Sequence, residues 1–403
     1  MPNGGAFGRG RTPVPATQTH DIAMTPQDNA SKRLRIAIVA PSLRYVGGHS
    51  VQAELFLRNW RDDPDVEAIF VAIDPPLPNW SARAKRVRGL RTLLREPLYI
   101  VDLWRALADV DIAHIFASSY WSFLIAAAPA WLIAKLRGAR TLLNYHSGDA
   151  RDHLTRFRSA PFVMSRVDEL VVPTRYLTDV LGEFGLRAVV VPNLVDLSQF
   201  RYRARRPLRP DLICSRGFSP YYSVDVVVRA FAEVKRDYPD ATLALLGEGP
   251  LEGELRRLVA DLKLADVIFT GVVSRERIGD VYAQADIFIN GSSVDAQPVS
   301  VIEAFRAGTP VVTTSPEAMP YLVENERTGL LSPVGDAKAL AANVIRLLRD
   351  SDLAAKIAEN AYGESHKYEW DVVRGQWLSL YRGMLSPSAA TALPEGESAR
   401  SIL

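Results

Sequence analysis

The chain has 403 residues, of which 48% are apolar, so it is long enough for two or three domains of ordinary size. Its 48 lysine and arginine residues nearly balance 46 acidic ones, and a net charge of +2 argues against a nucleic-acid-binding protein, which usually carries a strongly basic domain. The single cysteine, Cys214, excludes an intrachain disulfide framework and a multi-cysteine metal site, and it favours a reducing compartment such as the cytoplasm.

The two ends of the sequence differ in composition from its middle. Residues 1–32 are rich in glycine and proline and almost lack large apolar side chains, so they cannot offset the entropy cost of ordering, and we predict a disordered tail. They also lack the apolar stretch of about 7–15 residues that a secretory signal needs. Residues 387–403 are rich in small and polar residues and predict a second loose tail.

The longest apolar stretch is Phe123–Leu136, which spans 14 residues and contains Pro129 and Lys135. A membrane-spanning helix needs roughly 18–20 continuous apolar residues. The stretch therefore predicts a buried helix and not a membrane span.

The first half of the chain alternates strand-like and helical patterns. Leu34–Ala40 is a continuous apolar run, typical of a strand buried on both faces, and a helical pattern follows over Val51–Trp60. Further strand-like runs are Val66–Ile73, Asp111–Ala117, Arg140–Tyr145, Glu169–Pro173 and Ala188–Pro192. Strands that alternate with helices predict a parallel sheet of βαβ units.

The same alternation starts again in the second half. Its strand-like runs are Leu212–Ser215, Thr242–Leu246, Val267–Thr270, Ile287–Asn290 and Pro310–Thr313. Between the two sets lies Gln199–Pro210, whose five arginines and two prolines indicate a connector. We therefore predict an α/β protein with one Rossmann-like domain over residues 33–197 and another over 198–369. Ligands of such sheets bind beyond the carboxyl ends of the strands, which predicts a substrate cleft between the domains.

The most informative stretch is Asn290–Val312. After the strand comes a polar loop, then Pro298, which suits the first turn of a helix, and Gly308, which suits the end of one. The start of a helix offers free backbone N–H groups and a partial positive charge, which together form an anion site. Asp295 in the loop and Glu303 in the helix are eight residues apart, so both can face one cleft.

This stretch resembles the nucleotide-sugar site of the family 4 retaining glycosyltransferases, which have the two-domain GT-B fold. The family carries two acids separated by seven residues, followed by the pattern Ala-x-x-x-Gly-x-Pro-Val, which stands here at residues 304–311. The resemblance implies that Glu303 holds the ribose hydroxyls and that Asp295, a shorter acid than the family's usual glutamate, lies near the transferred sugar. Taken alone, Glu303 has another interpretation, that of an early helix acid favoured by the helix dipole.

Other segments follow in the order that the family shows. They are Val191–Asp196, Leu245–Pro250, Phe269–Val273 and Gly329–Leu331. The resemblance also implies a C-terminal helix over residues 370–386 that returns toward the first domain. It further implies donor binding by Gly47, Gly48, Arg216, Gly247, Gly249, Val273, Pro298, Val299, Ser300 and Glu303.

Arg216 matches the arginine that the family places against the donor diphosphate. Its planar guanidinium is always charged and binds phosphate oxygens in a bidentate way. The family adds a lysine five residues later, but Tyr221 and Tyr222 stand there in this chain. The loss of one cation weakens diphosphate binding or leaving-group stabilisation unless another arginine reaches the site.

His146 follows a strand and should face the cleft. A lone histidine is more often structural than functional, but the resemblance implies that His146 meets the transferred sugar. Gly47 and Gly48 match a glycine-rich loop beneath the diphosphate, where backbone N–H groups approach phosphate oxygens closely. Asp109 and Asp111 imitate a metal-binding motif of another glycosyltransferase fold, but no supporting cluster accompanies them, and we predict no metal and no cofactor.

Arg83–Arg95 holds six cations and no acid, interleaved with valine and leucine. One interpretation is a solvated helical face. The other is a segment that rests on anionic lipid, as basic amphipathic segments do.

The resemblance as a whole implies a metal-independent retaining glycosyltransferase with His146, Arg216, Asp295 and Glu303 as catalytic residues. It would move a sugar from a UDP- or GDP-sugar to a glycan or lipid-linked acceptor, in polysaccharide or glycoconjugate synthesis. Two alternatives remain open. One is a catalytically degenerate protein that binds a nucleotide sugar or a partner, and the other is a nucleotide-sugar epimerase, which would convert the donor without an acceptor.

Overall fold

A computed structural model describes residues 33–42, 44, 48–77 and 88–386, with the backbone alone at 88–91. These residues form two six-stranded sheets in which every strand pairing is parallel, so the predicted α/β architecture of two Rossmann-like domains is confirmed. The tails predicted over residues 1–32 and 387–403 lie outside the described residues.

The first domain contains the sheet with strand order β2-β1-β3-β4-β5-β6. Its elements are β1 (Leu34–Ala40), α1 (Gly48–Trp60), β2 (Val66–Ala72), α2 (Arg88–Ala106), β3 (Ile112–Ala117), α3 (Tyr120–Ser122), α4 (Ala128–Arg137), β4 (Arg140–Tyr145), α5 (Ala150–Arg156), α6 (Ser159–Met164), β5 (Glu169–Val172), α7 (Arg175–Gly182) and β6 (Val189–Val190). A 3₁₀ turn at Leu107–Asp109 and a π turn at Phe123–Ala127 complete it.

The second domain contains the sheet with strand order β12-β11-β10-β7-β8-β9. Its elements are β7 (Asp211–Ser215), α8 (Val224–Asp237), β8 (Thr242–Leu246), α9 (Glu252–Asp261), β9 (Val267–Gly271), α10 (Arg275–Gln284), β10 (Ile287–Asn290), α11 (Val299–Ala307), β11 (Val311–Thr314), β12 (Leu330–Ser332), α12 (Ala337–Arg349) and α13 (Ser351–Ser365). Short 3₁₀ turns occur at Pro220–Tyr222, Met319–Tyr321 and His366–Tyr368, and α14 (Trp370–Leu385) follows.

Helices cover both faces of each sheet. Successive residues of a strand point to opposite faces, so both sets of side chains are buried beneath helices. In β1, Ala37 and Val39 join the core beneath α2 and α4, whereas Ile36 and Ile38 join the core beneath α1 and α14. This explains why the strands appear in the sequence as continuous apolar runs and not as alternating patterns.

Helix α14 packs on the first domain although it follows the second domain in the chain. Trp377 and Tyr381 are buried in the same core as Ile36 of β1. Arg374 forms ion pairs of 2.7 and 2.6 Å with Asp63 and Asp65 of the first domain. The two domains are therefore joined twice, once by the connector near residue 200 and once by this returning helix.

The segment Phe123–Leu136 is helical, as predicted, but it is buried on one side only. The segment is a π turn followed by α4, and only one side faces the core: Phe123 is fully buried, whereas Leu132 and Leu136 are 51% and 65% exposed. The other side is left uncovered by the described elements. No described helix combines the length and the hydropathy that crossing a bilayer requires.

Candidate active site

A cavity of about 710 Å³ lies between the two domains, at the carboxyl ends of strands from both sheets. The predicted site residues that line it are Gly48, His146, Arg216, Val273, Asp295, Pro298, Val299 and Glu303. The parallel strands explain this convergence, because the loops that follow them all open at the same edge of each sheet. Gly47 lies outside the described residues.

Glu303 lies in the second turn of α11 and faces the cavity. It accepts a hydrogen bond of 3.0 Å from the hydroxyl of Tyr282, which is fully buried. Burial raises the pKa of Glu303 to about 7, against the opposing effects of the Tyr282 hydroxyl and of the charges of Arg216 and Arg275. The carboxyl is thus poised to ionise when hydroxyl donors approach it, as a pair of ribose hydroxyls would.

Arg216 follows β7 and is held by groups from the loop and helix that follow β10. It forms an ion pair with Asp295 and donates hydrogen bonds of 3.0 and 3.3 Å to the hydroxyls of Ser292 and Ser300. Burial lowers its pKa, but a guanidinium stays charged in proteins. The cavity therefore contains a buried cation, and Asp295 balances its charge.

Two helices begin at the cavity and add partial positive charge to it. Helix α1 begins at Gly48, and α11 begins at Val299, with Pro298 one residue before it and not within its first turn as predicted. Gly308 ends α11 at a φ of 67°, a left-handed conformation that glycine adopts without strain, as predicted. Backbone N–H groups at the two helix starts and the Arg216 guanidinium therefore give this part of the cavity the positive charge that an anion would require.

Gly247 and Gly249, which were predicted to bind the donor, are not among the residues that line the cavity. They pack behind the segment that follows β7: a Cβ atom would lie 2.3 Å from the Arg216 carbonyl oxygen at Gly247 and 2.5 Å from that of Phe218 at Gly249. Because glycine has no side chain, the turn after β8 can pack closely against the backbone at Arg216 and Phe218. A side chain at either position would therefore displace the backbone next to Arg216, and donor binding by these glycines stays a prediction.

Tyr222 is one of the two tyrosines, with Tyr221, that stand where the resemblance predicts a lysine. Its ring lies beneath the guanidinium of Arg216 at 4.2 Å, a cation–π contact that supports the existing cation without adding another. A second cation does line the cavity, namely Arg275 at the start of α10. Its guanidinium lies 3.4 Å from Glu54 of the first domain, so it also links the two walls of the cleft. Arg275 was not predicted, because no motif marks it in the sequence.

His146 follows β4 and lines the cavity from the first domain. Burial lowers its pKa well below the usual value, so the ring is neutral. Its Nε2 lies 2.7 Å from the Oδ1 atom of Asn144. His49 of α1 packs edge-on against it at 5.1 Å between ring centroids and was also missed by the sequence analysis.

Two glutamines that were not predicted hold segments of the cavity wall in place. The Gln297 side chain donates to the Pro173 carbonyl at 3.2 Å and accepts from the Asn193 N–H at 2.9 Å, which ties the Asp295 loop to the first domain. Gln52 forms a paired contact with the backbone N–H and carbonyl of Leu194, at 2.9 and 2.7 Å. Neither residue type is distinctive in a sequence, so only the structure identifies them.

Asp109 and Asp111, whose spacing resembles a metal-binding motif, both bond to Arg35. Asp111 accepts a hydrogen bond of 2.8 Å from the Arg35 N–H, and Asp109 forms an ion pair of 2.7 Å with the Arg35 guanidinium. Within the described residues there is no group of three or more His, Cys, Asp or Glu side chains placed to hold a metal ion.

Family models match most of the chain. The model described as Glycosyltransferase Family 4 matches residues 46–199, and the model described as Glycosyl transferases group 1 matches residues 200–364. The chain belongs to glycosyltransferase family 4. The two matches meet within the connector between the two sheets, so each domain of the family corresponds to one sheet of this chain.

Curated relatives include enzymes of glycolipid synthesis. The chain is 28% identical to a GDP-mannose-dependent alpha-(1-6)-phosphatidylinositol monomannoside mannosyltransferase of Mycobacterium tuberculosis, over 75% of this chain and 85% of that protein. It is 27% identical to a phosphatidyl-myo-inositol mannosyltransferase of Mycolicibacterium smegmatis, over 70% and 73%. An exopolysaccharide phosphotransferase of Streptomyces coelicolor is also 27% identical, but this chain spans only 30% of its length.

Solved structures confirm the GT-B fold. HepE of Anabaena, solved with UDP and glucose, superposes with a TM-score of 0.70 at 16% identity, over 87% of this chain and all of that one. Sucrose-phosphate synthase of Thermosynechococcus elongatus superposes with a TM-score of 0.67 at 20% identity, over 87% of this chain and 99% of that one.

Proposed function

We propose that this family 4 protein is a retaining glycosyltransferase that transfers a sugar from a UDP- or GDP-sugar to a lipid-linked or glycan acceptor, without a metal ion. The observation that carries the proposal is the convergence of Arg216, the start of α11 and Glu303 in one cleft. These groups match two parts of a nucleoside diphosphate: a cation and helix N–H groups suit the phosphates, and a carboxyl suits the ribose. The names of the mannosyltransferase relatives and the UDP bound to HepE support the donor class.

The proposed reaction is a front-side displacement. The bond between the anomeric carbon and the β-phosphate oxygen breaks, the acceptor oxygen bonds to the same face of that carbon, and the acceptor proton passes to the departing phosphate. Arg216 and the start of α11 stabilise the negative charge that develops on the leaving group. Asp295 and His146 border the space that the transferred sugar would occupy. Their role is to orient its hydroxyl groups.

One observation favours a degenerate binding protein as the second candidate. In this structure Asp295 already forms an ion pair with Arg216, and Tyr221 and Tyr222 stand where the resemblance predicts a second cation. A diphosphate must then compete with a carboxylate for the guanidinium. If Asp295 does not yield, the chain would bind nucleotide weakly and transfer nothing.

A donor screen separates these candidates. Purified protein is incubated with UDP-, GDP- and ADP-sugars in EDTA, and nucleoside diphosphate release is followed for the wild type, Arg216→Ala, Glu303→Ala and Arg256→Ala. Arg256 is a matched control, because its exposed guanidinium on α9 pairs with Glu252 outside the cavity. We expect slow release from one donor, a loss of about 10²–10³-fold in Arg216→Ala, and no change in Arg256→Ala.

Two other outcomes contradict the proposal. Binding of a nucleotide sugar with no release, even with lipid or glycan acceptors present, would identify a binding protein. Conversion of the donor sugar without release of nucleotide would identify an epimerase.

We propose further that the first domain contacts anionic membrane, where a lipid-linked acceptor lies. Large apolar side chains are exposed on its outer helices, among them Trp121 at 71% and Phe162 at 53%. Arg166 lies over the Phe162 ring at 3.7 Å, so apolar and cationic groups share this surface. That combination suits an anionic lipid interface. Most of the predicted basic segment Arg83–Arg95 lies outside the residues whose side chains are described.

Sedimentation with vesicles tests the membrane contact. We expect the wild type to sediment with phosphatidylglycerol vesicles at low salt and Trp121→Ser to sediment less. Ile268→Ser is the control, because Ile268 is 58% exposed on the second domain. The proposal would be wrong if Trp121→Ser and Ile268→Ser sedimented equally with the vesicles. It would also be wrong if the wild type did not sediment with them.

A further inference from the structure

Four polar side chains form a line of hydrogen bonds from the C-terminal helix to the cleft. The Tyr381 hydroxyl of α14 lies 2.7 Å from His114 Nδ1, His114 Nε2 lies 3.1 Å from Asn144 Nδ2, and Asn144 Oδ1 lies 2.7 Å from His146 Nε2. Tyr381 and His114 are fully buried, and Asn144 is 3% exposed. The line therefore crosses the interior of the first domain and ends at the cavity wall.

His114 is a neutral link in this line. Its ring stacks on Phe116 at 4.9 Å and packs against Trp377 and Phe56 at 4.7 and 5.2 Å. These aromatic rings carry no negative charge that could stabilise a protonated imidazole. Burial lowers the pKa of His114 to about 3. A neutral imidazole has one nitrogen that donates and one that accepts. If one His114 nitrogen accepts a hydrogen bond, the other must therefore donate one.

The orientation of the Asn144 amide determines that direction. Its Nδ2 donates to His114 Nε2, which leaves the His114 Nδ1–H to donate to the Tyr381 oxygen. Its Oδ1 accepts from His146, so His146 must carry its proton on Nε2. The Nδ1 atom of His146 then keeps a lone pair, and no described residue donates a hydrogen bond to it.

We propose that Tyr381, His114 and Asn144 are positioning residues that hold His146 in its Nε2–H tautomer. The Nδ1 atom is thereby presented as a hydrogen-bond acceptor for a hydroxyl of the donor sugar. This last step rests on the proposed function, whereas the tautomer itself does not. The returning helix α14 is thus part of the site's construction as well as of the fold.

The tautomer is measured directly on the ligand-free, full-length protein. The chain has six histidines, so ring 15N shifts from a uniformly labelled sample are few, and His146→Ala assigns the relevant signal. We expect a protonated Nε2 and an unprotonated Nδ1 for His146 between pH 6 and 8. A protonated Nδ1, or an equal mixture of tautomers, would overturn the inference.

Two variants test the line itself. Tyr381→Phe removes the acceptor for His114 Nδ1–H, so the line can reverse its direction, and we expect both tautomers at His146. Asn144→Asp provides a carboxylate that accepts from both rings, so His146 should keep Nε2–H while His114 changes its tautomer. Tyr99→Phe is the control, because it removes a buried hydroxyl that bonds to the Ala126 carbonyl elsewhere in the same domain.

Activity provides the second readout. We expect Tyr381→Phe to lower turnover about tenfold with little change in nucleotide affinity, as for other partners that orient a functional histidine, and Tyr99→Phe to leave both unchanged. An unchanged His146 tautomer in Tyr381→Phe would overturn the inference. If the wild type transfers no sugar, the proposed function fails, but the tautomer measurement still decides whether the line positions His146.

Discussion

The pKa of Glu303 leads to a prediction about how nucleotide-sugar binding depends on pH. Burial raises this pKa from 4.5 to about 7 in the unliganded protein, and ribose hydroxyls would hydrogen-bond to the ionised form. About a tenth of the carboxyl groups are ionised at pH 6 and about nine tenths at pH 8. We therefore expect the affinity for a nucleotide sugar to be about tenfold higher at pH 8 than at pH 6.

The assay is calorimetric titration with UDP-glucose or GDP-mannose across this range. These ligands suit the measurement because their bridged phosphates do not change protonation there, unlike the terminal phosphate of a free nucleoside diphosphate. Glu303→Gln should bind more weakly at pH 8 and lose the pH dependence. Glu169→Gln is the matched control, since the pKa of Glu169 is also raised by burial but the residue lies in β5, outside the cleft.

Stability without ligand should change in the opposite sense. Between pH 4.5 and 7 the folded chain holds more protons at Glu303 than the unfolded chain, so the free energy of unfolding falls as pH rises. Glu303→Gln should remove this cost, which is at most about 3 kcal/mol at pH 8. A wild-type affinity that is constant from pH 6 to 8, or a Gln variant with the same pH dependence, would refute the reasoning.

Three further predictions concern the groups around the site. Asp295→Asn leaves the buried Arg216 guanidinium without its carboxylate, so the free energy of unfolding should fall by about 3 kcal/mol. A nucleotide sugar would supply the missing negative charge, so it should raise the melting temperature of this variant more than that of the wild type. An equal rise in both proteins would contradict this prediction. Gln297→Leu removes two hydrogen bonds between the domains, so the free energy of unfolding measured in urea should fall by about 1–3 kcal/mol. An unchanged urea midpoint would show that these hydrogen bonds do not stabilise the fold. Cys214 is fully enclosed and burial raises its pKa to about 12, so a thiol reagent should react at pH 8 only after denaturant is added.

The sequence alone was sufficient for much of the fold because its signals are local. β1 and β10 were predicted with the bounds that the structure has, since a strand buried on both faces is a largely apolar run between turns. β12 was not predicted as a strand, because three residues are too short to form a pattern. The exposure of Leu132 was also missed, since a neighbouring helix decides which side of an apolar segment is covered.

The sequence also predicted that Asp295, Glu303 and Arg216 face one cleft, because each lies in a motif that follows a strand. The structure brings all three to one cavity. The sequence did not identify Arg275 as a cavity residue, nor the close approach of Gly247 to the Arg216 backbone. Those facts depend on which loops meet across the cleft.

The line from Tyr381 to His146 shows the difference most clearly. His114 and Tyr381 are 267 positions apart, and each alone is an ordinary buried polar residue. Only the return of α14 to the first domain brings the hydroxyl to the histidine. The pattern of apolar and turn residues therefore determined the strands and the location of the cleft, because those signals act over a few residues. The tertiary structure alone decided the charge balance at Arg216 and the proton position on His146, because both depend on contacts between distant parts of the chain.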